Sequence, residues 1–144
     1  MPKTRLILAC RQVIVDTFSN AACAINIFDS FTVAGVPVAF PGLMVLAVVE
    51  KHEGDADSIA ANIAVRLNGR LLVISPGSVN FAGQRMARVI ADLGNLVIDA
   101  PGELRFSVES NDTTLGEYVV AVGVTSPTLF DQKVLAEGPI TGQN

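Results

Sequence analysis

The chain has 144 residues, half of them apolar and only 17% charged, with one histidine, two cysteines and no tryptophan. That length suits a single domain with one buried core, and a mean hydropathy of +0.48 excludes a disordered chain, which lacks the apolar area to offset its ordering entropy. A net charge of −4 and a pI near 4.8 argue against a nucleic-acid footprint and against a polybasic membrane patch. Val and Ile number 29 against nine for Lys and Glu, a balance that favours sheet over helix. The longest apolar run, residues 43–49, has seven members, where a bilayer-crossing helix needs roughly 18 or more.

At the start of the chain, Lys3 and Arg5 precede an apolar run that Arg11 closes after five residues. An export signal needs about seven to fifteen, so a cytoplasmic location is expected. Residues 6–15 predict a strand covered on both faces, with Leu6, Leu8 and Ile14 pointing one way and Ile7, Val13 and Val15 the other. Residues 16–20 carry turn chemistry. Residues 22–33 predict a second strand, with Cys23, Ile25, Ile27, Phe31 and Val33 in alternation and Asp29 interrupting it. Gly35, Pro37, Pro41 and Gly42 mark a connection, and the continuously apolar residues 43–49 predict a central third strand.

A polar loop at residues 50–57 holds His52. Beyond it, Asn68-Gly69 between two apolar runs predicts a type I′ hairpin, since both turn positions need positive φ. A two-residue loop pairs Leu67 with Arg70, Val65 with Leu72 and Ile63 with Ile74, and sets the apolar members on one face. Over residues 83–94 the local rules conflict. Met86, Val89, Ile90 and Leu93 stand at helical spacing, Arg88 and Asp92 form an i,i+4 pair, and Gly94 suits a C-terminal cap. Alternation through Val79, Phe81, Val89 and Ala91 is weaker, and the local reading is a helix.

After Pro101-Gly102, Leu104, Phe106 and Val108 alternate with Glu103, Arg105, Ser107 and Glu109. A turn at residues 111–114 leads to a last strand with Tyr118, Val120, Val122 and Val124 on one face and Val119 and Ala121 on the other. Eight or nine short strands predict an all-β fold, an antiparallel β-sandwich over residues 1–124. Residues 125–144 form an irregular tail carrying Leu129, Phe130, Val134, Leu135 and Ile140, expected to dock on the domain or on a neighbouring chain.

Several segments carry a family resemblance: Leu8-Ala9-Cys10-Arg11-Gln12-Val13, Ile25-Asn26-Ile27-Phe28-Asp29, Val36-Pro37-Val38-Ala39-Phe40-Pro41, Asp92-Leu93-Gly94-Asn95-Leu96-Val97-Ile98, Pro101-Gly102-Glu103-Leu104-Arg105-Phe106 and Leu115-Gly116-Glu117-Tyr118. In this order they resemble a bacterial family of small uncharacterised immunoglobulin-like β-sandwich proteins, a domain of unknown function. Leu104 stands where that family usually has an aromatic residue. The resemblance implies an immunoglobulin-like sandwich and a strand, not a helix, across residues 83–92. It implies no activity, substrate or catalytic residue.

The chemistry-bearing residues are few. Glu53, Asp55 and Asp57 share the polar loop, and strand reversal is expected to bring Asp16 to the same end of the sandwich. Four such carboxylates form a candidate Ca²⁺ site, although EF-hand spacing is absent. One histidine and two strand cysteines do not suit a closed zinc site. The chain lacks GxSxG, GxGxxG and Walker patterns, so neither a nucleophile elbow nor a nucleotide loop is expected. His52 alone does not make a catalyst. Glu103 and Glu109 flank Arg105 as solvent-face ion pairs, and Cys10 and Cys23 read as small buried hydrophobes on neighbouring strands.

No cofactor is expected. The functional expectation is a non-catalytic protein that binds protein or self-assembles as a homo-oligomer, through second-face apolar residues such as Val119, Phe130 and Leu135. The alternatives are a structural component of a larger assembly and a loop-end Ca²⁺ or small-ligand module.

Overall fold

A computed structural model describes residues 1–125, and all regular structure in them is β. Eleven strands follow in order: β1 (Lys3–Val15), β2 (Ala22–Ile27), β3 (Ser30–Val33), β4 (Val38–Glu50), β5 (Ser58–Ala60), β6 (Asn62–Leu67), β7 (Arg70–Ser75), β8 (Ser78–Asn80), β9 (Met86–Ile98), β10 (Gly102–Ser110) and β11 (Thr113–Val124). They build a four-stranded sheet ordered β2-β1-β4-β9 and a five-stranded sheet ordered β3-β11-β10-β6-β7. The short pair β5-β8 forms a separate two-stranded sheet that packs Val79 and Ile59 against the same core. The main core joins the sheets, with Val45 and Val49 from the first meeting Ile63, Val65, Phe106 and Val120 from the second. The chain is an all-β sandwich. Its pairings are antiparallel except for β3 beside β11, which is parallel.

The local helical reading of residues 83–94 is overturned, and the strand that the resemblance implies is what forms, as β9 over Met86–Ile98. β9 pairs with β4 along its whole length, from Glu50↔Met86 to Val38↔Ile98. The helical spacing was produced by apolar residues on both faces: Leu93 points into the core, while Met86 and Ile90 stay exposed on the other side. Gly94 is not a helix cap. It sits at φ +64° where the β4–β9 register shifts, and Asp92 Oδ1 accepts its N–H at 2.9 Å. Gly94 faces Leu43 at this irregularity. Pro41 and Gly42, expected in a connection, lie inside β4 at the same place.

The second expected strand is two. β2 belongs to the first sheet and β3 to the second, and Phe28 and Asp29 make the crossing. Asp29, which breaks the sequence alternation, marks the switch. The Phe28 N–H donates to Ala9 O at 2.9 Å, and the Tyr118 hydroxyl donates to Phe28 O at 2.7 Å. Phe28 stacks on Phe31 with centroids 4.6 Å apart, and Phe40 meets Phe31 edge-on at 4.6 Å. The crossing is therefore held by two hydrogen bonds and an aromatic cluster.

The Asn68-Gly69 turn forms as expected, with φ of +52° and +85° and Leu67 opposite Arg70. A register shift between Val65 and Arg66 then moves the rest of β7, so that Val65 faces Val73 and Ile63 faces Ser75. Leu72 and Ile74 are consequently not the cross-strand partners expected, and Ile74 is exposed. The turn has a second role. Asn68 Oδ1 accepts from the Glu103 N–H at 2.9 Å, and its Nδ2 donates to Pro101 O at 3.0 Å, which ties the β6–β7 tip to the β9–β10 connection.

Candidate interaction surface

The outward side of the first sheet is built from cross-strand rows. Leu6, Val48 and Arg88 form one row, and Leu8, Leu46 and Ile90 the next. Cys10 and Met44 follow, opposite Asp92. Because β1, β4 and β9 carry apolar residues at successive positions, this second face is largely apolar, with Arg88 and Asp92 as the charged members of its rows. Cys10 and Leu46 are buried on it, yet neither belongs to the main core cluster.

The β1–β2 hairpin reaches across this face. Arg88, which is level with Val48 and Leu6, donates to Asn20 O at 2.6 Å, so the tip of the hairpin lies beside β9. Val13, Ala22 and Ala24 are half-buried on the hairpin. Asp16 holds the tip, accepting the Phe18 N–H at 2.8 Å and the Ser19 N–H at 3.5 Å. Those backbone bonds, the Phe18 one foremost, keep the Asp16 carboxyl below its usual range. Phe18 itself is fully exposed. A hollow of about 240 Å³ beside it is lined by Asn20, Val48, Met86, Ala87 and Arg88. Around it Leu6, Met86 and Ile90 remain 45%, 46% and 39% exposed.

The two cysteines sit on β1 and β2 as expected, unbonded, but only Cys10 is buried; Cys23 is exposed. Burial raises the Cys10 thiol above its ordinary pKa. Cys23 faces Ile14 across the hairpin, on the side that carries the hairpin's exposed apolar residues.

Val119, the one candidate contact residue within the described part, lies elsewhere. It faces Arg105 on the outer side of the second sheet and is exposed. Arg105 bridges Glu103 and Glu117 there. Glu109 does not join it; Arg66 binds Glu109 at 2.6 Å, and the Ser107 hydroxyl donates to the same carboxylate at 2.8 Å. Arg66 and Arg105 are direct cross-strand neighbours, a like-charge pair made tolerable by these carboxylates. A lone apolar residue in such a charged field needs no partner. Phe130 and Leu135, together with the expected docking of the tail, lie outside the described residues.

The four candidate metal ligands are not gathered. Asp16 caps the hairpin tip, where it accepts the Phe18 and Ser19 N–H groups. Asp55 binds the Met1 amino group at 2.7 Å and accepts the His52 N–H at 2.6 Å. Asp57 binds Lys51 at 2.6 Å and accepts the Gly83 N–H. In each case the hydrogen bond from the cation, ahead of that from the backbone, lowers the carboxyl pKa. Among the described residues no three His, Cys, Asp or Glu side chains converge as a metal site.

Glu53 lines an open depression of about 430 Å³ with Lys51, His52, Gly83 and Arg85. Its cations are engaged, Lys51 by Asp57 and Arg85 by the buried carboxylate of Glu50. His52 Nδ1 lies 2.8 Å from Met1 O and 3.9 Å from Asp55. Neither neighbour is a hydroxyl or thiol that the imidazole could activate as a nucleophile.

No protein-family model matches the chain, and no curated protein matches it. Among solved structures, a β-glucosidase from Listeria innocua in complex with glucose superposes with a TM-score of 0.46 at 10% identity, over 88% of this chain. This chain spans 16% of that enzyme. An immunoglobulin-like protein from Pseudomonas aeruginosa superposes with a TM-score of 0.39 at 13% identity, over 85% of this chain and 96% of its own. Neither superposition is close enough to carry an argument. The sandwich therefore stands on this chain's own strands and registers, and no family model supports the bacterial family that the six segments suggested.

The residues that sequence reasoning passed over are Phe18 and Met86. Phe18 had a legible signal, a large apolar side chain inside the polar turn Asp16-Thr17-Phe18-Ser19-Asn20. Met86 was absorbed into the helical reading.

Proposed function

We propose that this β-sandwich is a non-catalytic module that works through protein contact, with copies of itself as the partner. One observation carries the reading: the outer face of the first sheet stays apolar and part-uncovered around Leu6, Met86 and Ile90, and the fully exposed Phe18 stands beside it. Contiguous apolar surface of this kind marks an interaction site more often than a solvated face. Of the charged groups in its rows, Arg88 donates to Asn20 O and Asp92 accepts the Gly94 N–H. A structural role in a larger assembly is the same surface used repeatedly. The mass of the intact chain in solution, followed over a dilution series, tests the proposal.

A further inference from the structure

Among the described aromatic residues, Phe18 alone is exposed. The turn presenting it is tightly tied. Asp16 and Ala21 bond through the backbone at 2.9 Å, Asn20 N–H donates to Asp16 O at 2.8 Å, and Ser19 Oγ accepts the Ala21 N–H at 3.3 Å. Arg88 then fixes Asn20 O to β9. An apolar ring held out on an ordered turn has little conformational entropy left to lose on docking.

Two residues along the chain, Asn20 lines the hollow whose other walls are Val48, Met86, Ala87 and Arg88. Those walls suit an aromatic ring. Val48 is apolar, a methionine thioether packs well against a ring edge, and a guanidinium favours a ring face. Phe18 stands two residues from Asn20 on the turn that borders the hollow, and a knob next to a hollow is the arrangement that a twofold axis makes reciprocal. The area also suits a second copy. Phe18, Leu6, Met86 and Ile90 leave roughly 400 Å² of apolar surface uncovered, given about 150–250 Å² for an aromatic side chain. That approaches the apolar share of the ~800 Å² that each partner buries in a standard interface.

We infer that two copies of this chain associate about a twofold axis through the outer face of the first sheet, Phe18 of each copy seated in the Val48–Met86–Arg88 hollow of the other. The inference rests on the self-association proposed above and supplies its contact.

Sedimentation equilibrium of the intact chain and of Phe18→Asp tests it, with thermal melting to show that the variant folds; a fully exposed side chain leaves the core untouched. The expected result is that the wild type associates and that Phe18→Asp weakens association at least about tenfold, the scale of a lost interface anchor. In a Cys23→Ser background, copies carrying Phe18→Cys mixed with copies carrying Met86→Cys are expected to cross-link under mild oxidation. Association that Phe18→Asp leaves unchanged, without that cross-link, overturns this contact while self-association through another surface stands. A wild type that is monomeric throughout overturns both.

Discussion

Thr4 Oγ1 is a buried side-chain oxygen without a hydrogen-bond partner, and it lies where β1 passes closest to β11. A Cβ on Gly116 would stand 2.4 Å from Thr4 Cβ, so only glycine permits this approach. Burying an unpartnered hydroxyl costs free energy that an isosteric methyl does not. Thr4→Val is accordingly expected to raise stability by about 1 kcal/mol in urea denaturation; a loss of stability would mean that the hydroxyl is bonded in solution. Glu109 supplies a pH dependence. Its carboxyl is held below the usual glutamate range, chiefly by the Arg66 hydrogen bond and also by Ser107. A folded-state pKa below the unfolded one adds stability that is fully present above the unfolded value and is lost as pH falls through the folded one. Glu109→Gln should therefore show a shallower loss of stability on acidification than the wild type in denaturation at stepped pH. The slope will not vanish, because Asp16, Asp55 and Asp57 are shifted the same way.

Individual elements show which sequence signals survive folding. Leu104, Phe106 and Val108 alternate with polar residues and are all fully buried, because β10 lies in the middle of its sheet with one face on the core. The Asn68-Gly69 turn was legible because its φ requirement is local. The register beyond it was not, since the shift between Val65 and Arg66 depends on what β7 packs against. In β9 the misreading has a plain cause: apolar residues on both faces imitate a period of 3.6, and only pairing with β4 decides between the two. The strand switch at Phe28 and Asp29 was half legible, as a break in alternation without the second sheet that explains it. Tyr118→Phe tests that switch. It removes the donor to Phe28 O, leaves a carbonyl unpartnered, and is expected to cost about 1–2 kcal/mol in chemical denaturation. Unchanged stability would show that the Phe28 N–H bond to Ala9 O and the aromatic cluster hold the crossing without the tyrosine hydroxyl.

For the molecule as a whole, the all-β sandwich followed from composition and turn spacing, while the candidate surface was only partly readable. The sequence made a second apolar face visible in Leu6, Leu8 and the residues 43–49 run, and offered the tail, a neighbouring copy or another protein as its cover. It did not reveal that the β1–β2 hairpin itself reaches back over that face, since this depends on a tertiary contact between Arg88 and Asn20 separated by 68 positions. What the hairpin leaves open, with Phe18 at its tip, is the surface on which the account rests. The decisive measurement is the mass of the intact 15.1 kDa chain by light scattering over a wide dilution series. The account predicts a species of twice the chain mass or more that dissociates on dilution; the monomer mass at every concentration would contradict it.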